Sequence, residues 1–87
     1  MNISVEISMH PLSENYMERV DAFLKALQKN AQFKIVVSPL STQVFGDSAV
    51  IFPALEKEIT HAFADGQAPF VLKILKDDLS NMDLSSY

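Results

Sequence analysis

The chain predicts an α+β fold whose elements run β-α-β-β-α-β, and three observations carry that prediction. Residues Asn2 to Met9 alternate apolar and polar side chains almost without a break. Two later stretches repeat their apolar residues at helical spacing, and prolines and glycines punctuate the intervals between elements. Period two marks a half-buried strand, and spacings of three and four mark an amphipathic helix.

In the first strand Ile3, Val5, Ile7 and Met9 point one way, while Asn2, Ser4, Glu6 and Ser8 point the other. Pro11 ends it, having no N–H to give a ladder. Ser13 is placed to cap the next helix, with Leu12 and Met17 as a hydrophobic staple. Met17, Val20, Leu24 and Leu27, joined by Phe23 and Tyr16, form that helix's apolar stripe. Asp21 and Lys25 are four apart and support the helix slightly. Phe33 to Ser38 reads as a second strand closed by Pro39, and the stretch from Ser41 to Asp47 as a third. Gly46 can take a positive φ, and Asp47 can cap a second helix. That helix spans about Ser48 to Ala64, with Val50, Ile51, Leu55, Ile59, Ala62 and Phe63 as its stripe. Pro53 lies inside it, so either the regular helix begins near Phe52 or its first turn is distorted. Gly66 terminates it. Pro69 to Lys76 is a fourth, mostly apolar strand. The organisation is one domain over residues 1–78 and a polar tail over 79–87. The tail reads as a short helical turn or as partly disordered.

This order is the ferredoxin-like split βαβ arrangement: an antiparallel four-stranded sheet in the order 4-1-3-2, with both helices on one face. Strands one and three are then central. Val36, Val71 and Leu75 fall on the open face, and an exposed apolar face invites a second subunit. Whether Val44 or Phe45 faces the helices is open.

Eighty-seven residues with 48% hydrophobic content make one compact domain. A chain of this size buries roughly 60–65% of the surface its unfolded form exposes. No cysteine is present, which excludes disulfides and thiolate metal sites. No basic leader and no apolar run long enough to span a bilayer appears, so the expectation is a cytoplasmic chain without membrane insertion. Seven basic residues against eleven acidic ones give a net charge of −4, and Arg19 is the sole arginine. That balance disfavours nucleic acid and favours a neutral or cationic small molecule.

No G-x-G-x-x-G, P-loop or H-E-x-x-H pattern occurs. His10 and His61 lie on different elements without carboxylates at ligand spacing, and Asp77-Asp78 with Asp83 lacks the glycine of a calcium loop. The expectation is a non-catalytic protein with no metal and no cofactor. Glu6 has two readings: a cross-strand partner for Lys73, or a carboxylate facing a ligand. Ser41, Thr42 and Gln43 either decorate a sheet face or line a pocket, and any of them left buried and unpaired costs about 1–3 kcal/mol. Met9, Tyr16, Met17 and Phe45 serve as core or as walls for a flat heterocycle.

Three segments carry a resemblance to a known family: Ile3-Ser4-Val5-Glu6-Ile7-Ser8-Met9 with Pro11-Leu12, then Ser41-Thr42-Gln43-Val44-Phe45-Gly46, then Phe70-Val71-Leu72-Lys73-Ile74. From Asn2 to about Asp78 the chain resembles the YkoF-like thiamine-binding proteins. The resemblance implies the same ferredoxin-like fold and non-catalytic binding of thiamine or its hydroxymethylpyrimidine portion, linked to uptake or salvage. It implies a homo-oligomer, dimer or tetramer, assembled through the sheet. By analogy Glu6, Ser8, Ser41, Thr42 and Gln43 would line the site. The competing expectation is an oligomeric interaction or regulatory module without a small ligand.

Overall fold

A computed structural model of the chain describes residues 1–29 and 32–87. The elements are β1 (Asn2–Met9), α1 (Tyr16–Gln28), β2 (Lys34–Val37), β3 (Thr42–Asp47), α2 (Ser48–Phe63) and β4 (Phe70–Lys76). The sheet is antiparallel throughout, in the order β2-β3-β1-β4. Read from its other edge, that is the 4-1-3-2 order of the ferredoxin-like α+β sandwich.

Alternation along β1 decides what is buried. Ile3, Val5 and Ile7 meet Phe23 and Leu27 of α1 and Ile51 and Leu55 of α2 in one cluster. Register places Val44 opposite Val5, and Ile35 opposite Val44, so the same face continues across three strands. Each large side chain buried in this layer contributes about 1.5–3 kcal/mol.

The two helices start on different caps. Ser13 does not cap α1. Asn15 holds the cap position and makes no side-chain cap bond, while the Ser13 hydroxyl accepts from Arg19 Nη1 at 3.3 Å. The inward row of α1 is Arg19, Phe23 and Leu27, four residues apart. Tyr16 and Met17 therefore sit beside that row, 51% and 63% exposed, and do not belong to the core. At α2 the Asp47 carboxylate accepts from Ala49 N–H at 3.0 Å, as expected of a cap. The helix runs from Ser48 straight through Pro53. Proline there forfeits one bond, toward the carbonyl of exposed Ala49, so the helix need not start later. Gly46 has φ 157°, and a Cβ there would lie 3.0 Å from Phe33 Cβ, so this position admits little but glycine.

The open face is not bare along its whole length. Ser4 Oγ donates to the Asp77 carbonyl at 2.8 Å and accepts from Leu79 N–H at 2.9 Å, which pins the tail across one end of the sheet. Phe45, the cross-strand neighbour of Ser4, is only 8% exposed there, and Val44 is buried on the helix side. Both candidates for the inward position of β3 are thus covered, from opposite sides. Beyond Leu79 the tail forms turns rather than a helix. Hydrogen bonds from Ser80 and from Ser85 hold the carboxyls of Asp78 and Asp83 below their ordinary range.

Arg19 is 7% exposed and ties the helices together. Its Nη2 donates to the Ala62 and Gly66 carbonyls at 3.1 and 2.9 Å, and Nη1 donates to the Gln67 carbonyl at 3.1 Å. These carbonyls belong to the last turn of α2 and the residues after it, the negative end of the helix dipole. His10 N–H donates to Pro69 O and Leu12 N–H to Gln67 O, so the same loop also holds the entry to α1.

Two outcomes are expected. Arg19→Met keeps the volume but strands these carbonyls, and it should destabilise the fold by about 2–4 kcal/mol in urea unfolding. Asp47→Ala should lower the melting temperature by a few degrees at neutral pH. The Ala49 N–H and then the Met1 ammonium hold the Asp47 carboxyl below its ordinary value. A depressed folded-state pKa gives stability that is present above the unfolded value and lost as pH falls through the folded one. The gap between wild type and Asp47→Ala in thermal melts should therefore close in that acid window and not at higher pH.

Candidate functional site

At the Met9 end of β1 the sheet, the first turns of α1 and the β2–β3 turn enclose a cleft of about 410 Å³. Its walls are Met9, Tyr16, Met17, Val37, Ser41 and Thr42, with Phe23 and Leu24 behind them. This is a mostly apolar lining with a few hydroxyls, and its volume lies in the usual range for a small-molecule pocket. Each wall has a local cause. Tyr16 and Met17 reach the cleft because α1 turns Arg19 and Phe23 inward, leaving its first turn over the end of the sheet. Ser41 is held by a tight turn with Pro39 at its second position: Ser38 N–H and Oγ both donate to the Ser41 carbonyl, at 3.0 and 2.9 Å.

The five residues expected to form a site divide between two surfaces. Ser8, Ser41 and Thr42 line the cleft. Thr42 is 5% exposed and lies opposite Ile7, on the helix side of the sheet. Glu6 and Gln43 lie opposite each other on the open face, where they line a depression of about 190 Å³ with Phe45, Lys73, Leu75 and Leu79. Period two separates Gln43 from Thr42, so one enclosed pocket cannot hold the whole run. Ser41 joins the two surfaces. It borders the cleft, and its hydroxyl donates to Glu6 Oε2 at 3.1 Å. Lys73 is the direct cross-strand neighbour of Glu6, yet among the described residues no ion pair joins them.

Among the described residues that line it, the cleft has no carboxylate, lysine or arginine, and His10 is the one titratable side chain besides Tyr16. It can hold a flat ring between methionine and tyrosine and offer hydroxyls to ring nitrogens and amino groups. Negative charge reaches it only at one remove, from Glu6 through Ser41. Among the described residues no group of three or more His, Asp or Glu could hold a metal ion. No described helix is long and apolar enough to cross a membrane. Of the aromatic and sulfur residues singled out in the sequence, Met9, Tyr16 and Met17 meet in this cleft, and Phe45 lies at the far end of the open face. Leu40 and Val37 were not foreseen here; the hairpin geometry, not residue type, brings them in.

No protein-family model matches the chain, and no curated protein is similar to it in sequence. Its fold is shared with several solved structures. A protein from Streptococcus pneumoniae matches with a TM-score of 0.83 at 19% identity, over 99% of this chain and 98% of that one. A Thermotoga maritima protein provisionally assigned to thiamine biosynthesis or salvage matches with a TM-score of 0.78 at 19% identity, over 88% of this chain and 85% of that one. A hypothetical protein from Methanocaldococcus jannascii matches with a TM-score of 0.76 at 18% identity, over 98% and 90%. The chain therefore has the fold of a group of small ferredoxin-like proteins.

Proposed function

We propose that this chain binds thiamine or a thiamine-related pyrimidine such as hydroxymethylpyrimidine, in the cytoplasm and without chemically changing it, in the service of uptake or salvage. The observation that carries this reading is the cleft beside Tyr16, Met17 and Thr42, whose wall is apolar, hydroxyl-bearing and almost free of charge. Such a wall suits a neutral aminopyrimidine better than a phosphate, which would want lysine or arginine. The YkoF-like resemblance implies this ligand, and the assignment of the Thermotoga maritima neighbour to thiamine biosynthesis or salvage is in keeping with it. In this reading Thr42 and Ser41 meet the ring's polar edge, Tyr16 and the methionines cover its faces, and Glu6 with Gln43 and Ser8 biases the entrance toward positive charge.

An interaction module without a small ligand is the competing reading, and the exposed Val36, Val71 and Leu75 on the open sheet face favour it. The two are compatible, and we propose that a second copy of the chain covers this face, giving a dimer or tetramer. The same patch of both copies would then meet across a two-fold axis.

Calorimetric titration with hydroxymethylpyrimidine, thiamine and thiamine phosphates tests the ligand. Saturation near about one ligand per chain is expected for the first two, with weaker binding as phosphates are added. Thr42→Val preserves shape and removes one hydroxyl, and it should weaken binding roughly 3–10-fold. Absence of heat with every one of these compounds would remove the ligand reading. Light scattering tests the assembly: Val71→Asp should shift the mass distribution toward smaller species, and an unchanged mass would count against this face.

A further inference from the structure

β4 lies at one end of the sheet order, and among the described residues no strand pairs with its outer side. Two bonds at its ends fix which way its backbone groups point: His10 N–H donates to Pro69 O, and Asp77 N–H donates to Asn2 O. In an antiparallel ladder, opposite residues alternate between bonded and non-bonded pairs. The β1–β4 register therefore bonds Val71, Lys73 and Leu75 to β1 and turns the N–H and C=O groups of Phe70, Leu72, Ile74 and Lys76 outward. We propose that a second copy of the chain pairs with this edge, β4 antiparallel to β4 about a two-fold axis at Leu72, so that two sheets become one.

The side chains of this edge are apolar on both faces. Leu72 lies opposite Ile7 and Ile74 opposite Val5, so both belong to the helix side of the sheet. Ile7 and Val5 are buried there, yet Leu72 and Ile74 are 39% and 48% exposed, because the cover of the helices ends before the edge. On the open face Val71 and Leu75 are exposed as well. An edge blunted against pairing is short, bulged or broken by proline. β4 is none of these: its seven residues hold one unbroken register and include no proline or glycine. The opposite edge, β2, has only four residues.

Charge then chooses the register and the occupant. Lys73 is the one charged side chain in residues 70–75, and a lysine on an edge ordinarily opposes pairing. A two-fold axis at Lys73 would set it directly against its own copy, which is unfavourable. Moving the axis by one residue, to Leu72, keeps the outward backbone groups aligned. Leu72 then meets Leu72 and Phe70 meets Ile74 on the helix side, while Lys73 meets Val71 on the open face. An axis at Ile74 would instead set Lys76 against Leu72 and run the pairing into Asp77, where a φ of 75° turns the chain out of the strand. Residues 70–74 are thus complementary to themselves, apolar against apolar with the lysines offset. A second copy supplies that strand with nothing added, and the pairing does not depend on how the open face is covered.

The test follows backbone amide exchange in 15N-labelled full chain over a concentration series, with light scattering on the same samples. Val71 and Lys73 N–H, bonded to β1, should be protected at every concentration. Leu72 and Ile74 N–H should exchange at least roughly tenfold more slowly in concentrated samples than in dilute ones. Leu72→Pro removes one outward N–H and leaves the β1 ladder whole, a change an edge strand tolerates. It should lower the mass and release the Ile74 amide. Ile74→Lys, which sets a charge against Phe70 of the second copy, provides a second variant should the proline disturb folding. Val71→Asp separates this edge from the open face: it places a carboxylate opposite Lys73 of the second copy, so Leu72 and Ile74 should stay protected even where the mass falls. Rapid exchange of Leu72 and Ile74 at every concentration, their protection in a sample with the mass of one chain, or their release in Val71→Asp would overturn the proposal. So would an unchanged mass in both Leu72→Pro and Ile74→Lys.

Discussion

The packing of this small sandwich depends on one buried guanidinium. Arg19 stands where a leucine would be expected, four residues before Phe23 and eight before Leu27, and fills the inward row of α1 with charge. Burying it is tolerable because the acceptors it meets are the carbonyls that a helix end leaves unmatched, at the negative pole of α2. The consequence runs outward from there. Fixing Ala62, Gly66 and Gln67 fixes the loop into β4, and that loop holds His10 and Leu12 through backbone bonds. The entry to α1 is therefore set, and with it the overhang of Tyr16 and Met17 that makes the cleft.

Much of this was legible in the residues, and the exceptions have physical reasons. The period-two run of β1 predicted its bounds and its apolar face, and the order of the elements predicted its place beside strands three and four. Asp47 as a cap was legible for the same kind of local reason. Arg19 was not, since a lone arginine in an amphipathic pattern reads as a wet position and nothing local announces carbonyls forty residues away. Ser13 looked like a cap by type, and the Arg19 guanidinium six residues on claimed its hydroxyl instead. The competition between Val44 and Phe45 could not be resolved from the strand, because a second covering layer comes from the tail.

The site shows the same division. Ser41 and Thr42 reach the cleft while Gln43 turns to the open face, so the run expected to line one site divides at Gln43. What alternation could not tell is which face would have an enclosed volume beside it. That depends on how far the first turn of α1 overhangs the sheet and on where the Ser38–Ser41 turn folds. The first is set by the tertiary contacts of Arg19, the second by local bonds between Ser38 and Ser41. The cleft wall is apolar and hydroxyl-bearing, whereas the groove between the helices is lined by Glu18, Glu58 and Asp65 beside Arg19. A fold with one sheet and two helices thus offers two surroundings of opposite character on either side of a single helix.

The tail bears on how assembly and binding could be related. Ser4 is buried, and its hydroxyl both donates to and accepts from tail backbone, so the segment from Asp77 to Leu79 is part of the packing and not an appendage. It closes the Ser4 and Phe45 end of the open face. A second copy would then meet the other end, where Ser8 lies opposite Val71 and Gln43 opposite both Glu6 and Val36. That is also the end at which Ser8 and Ser41 border the cleft. Through the Ser41–Glu6 hydrogen bond, a change in the covering of Glu6 would reach a cleft wall without any movement of the helices. Coupling of this kind needs no long pathway, only one hydroxyl that belongs to both surfaces.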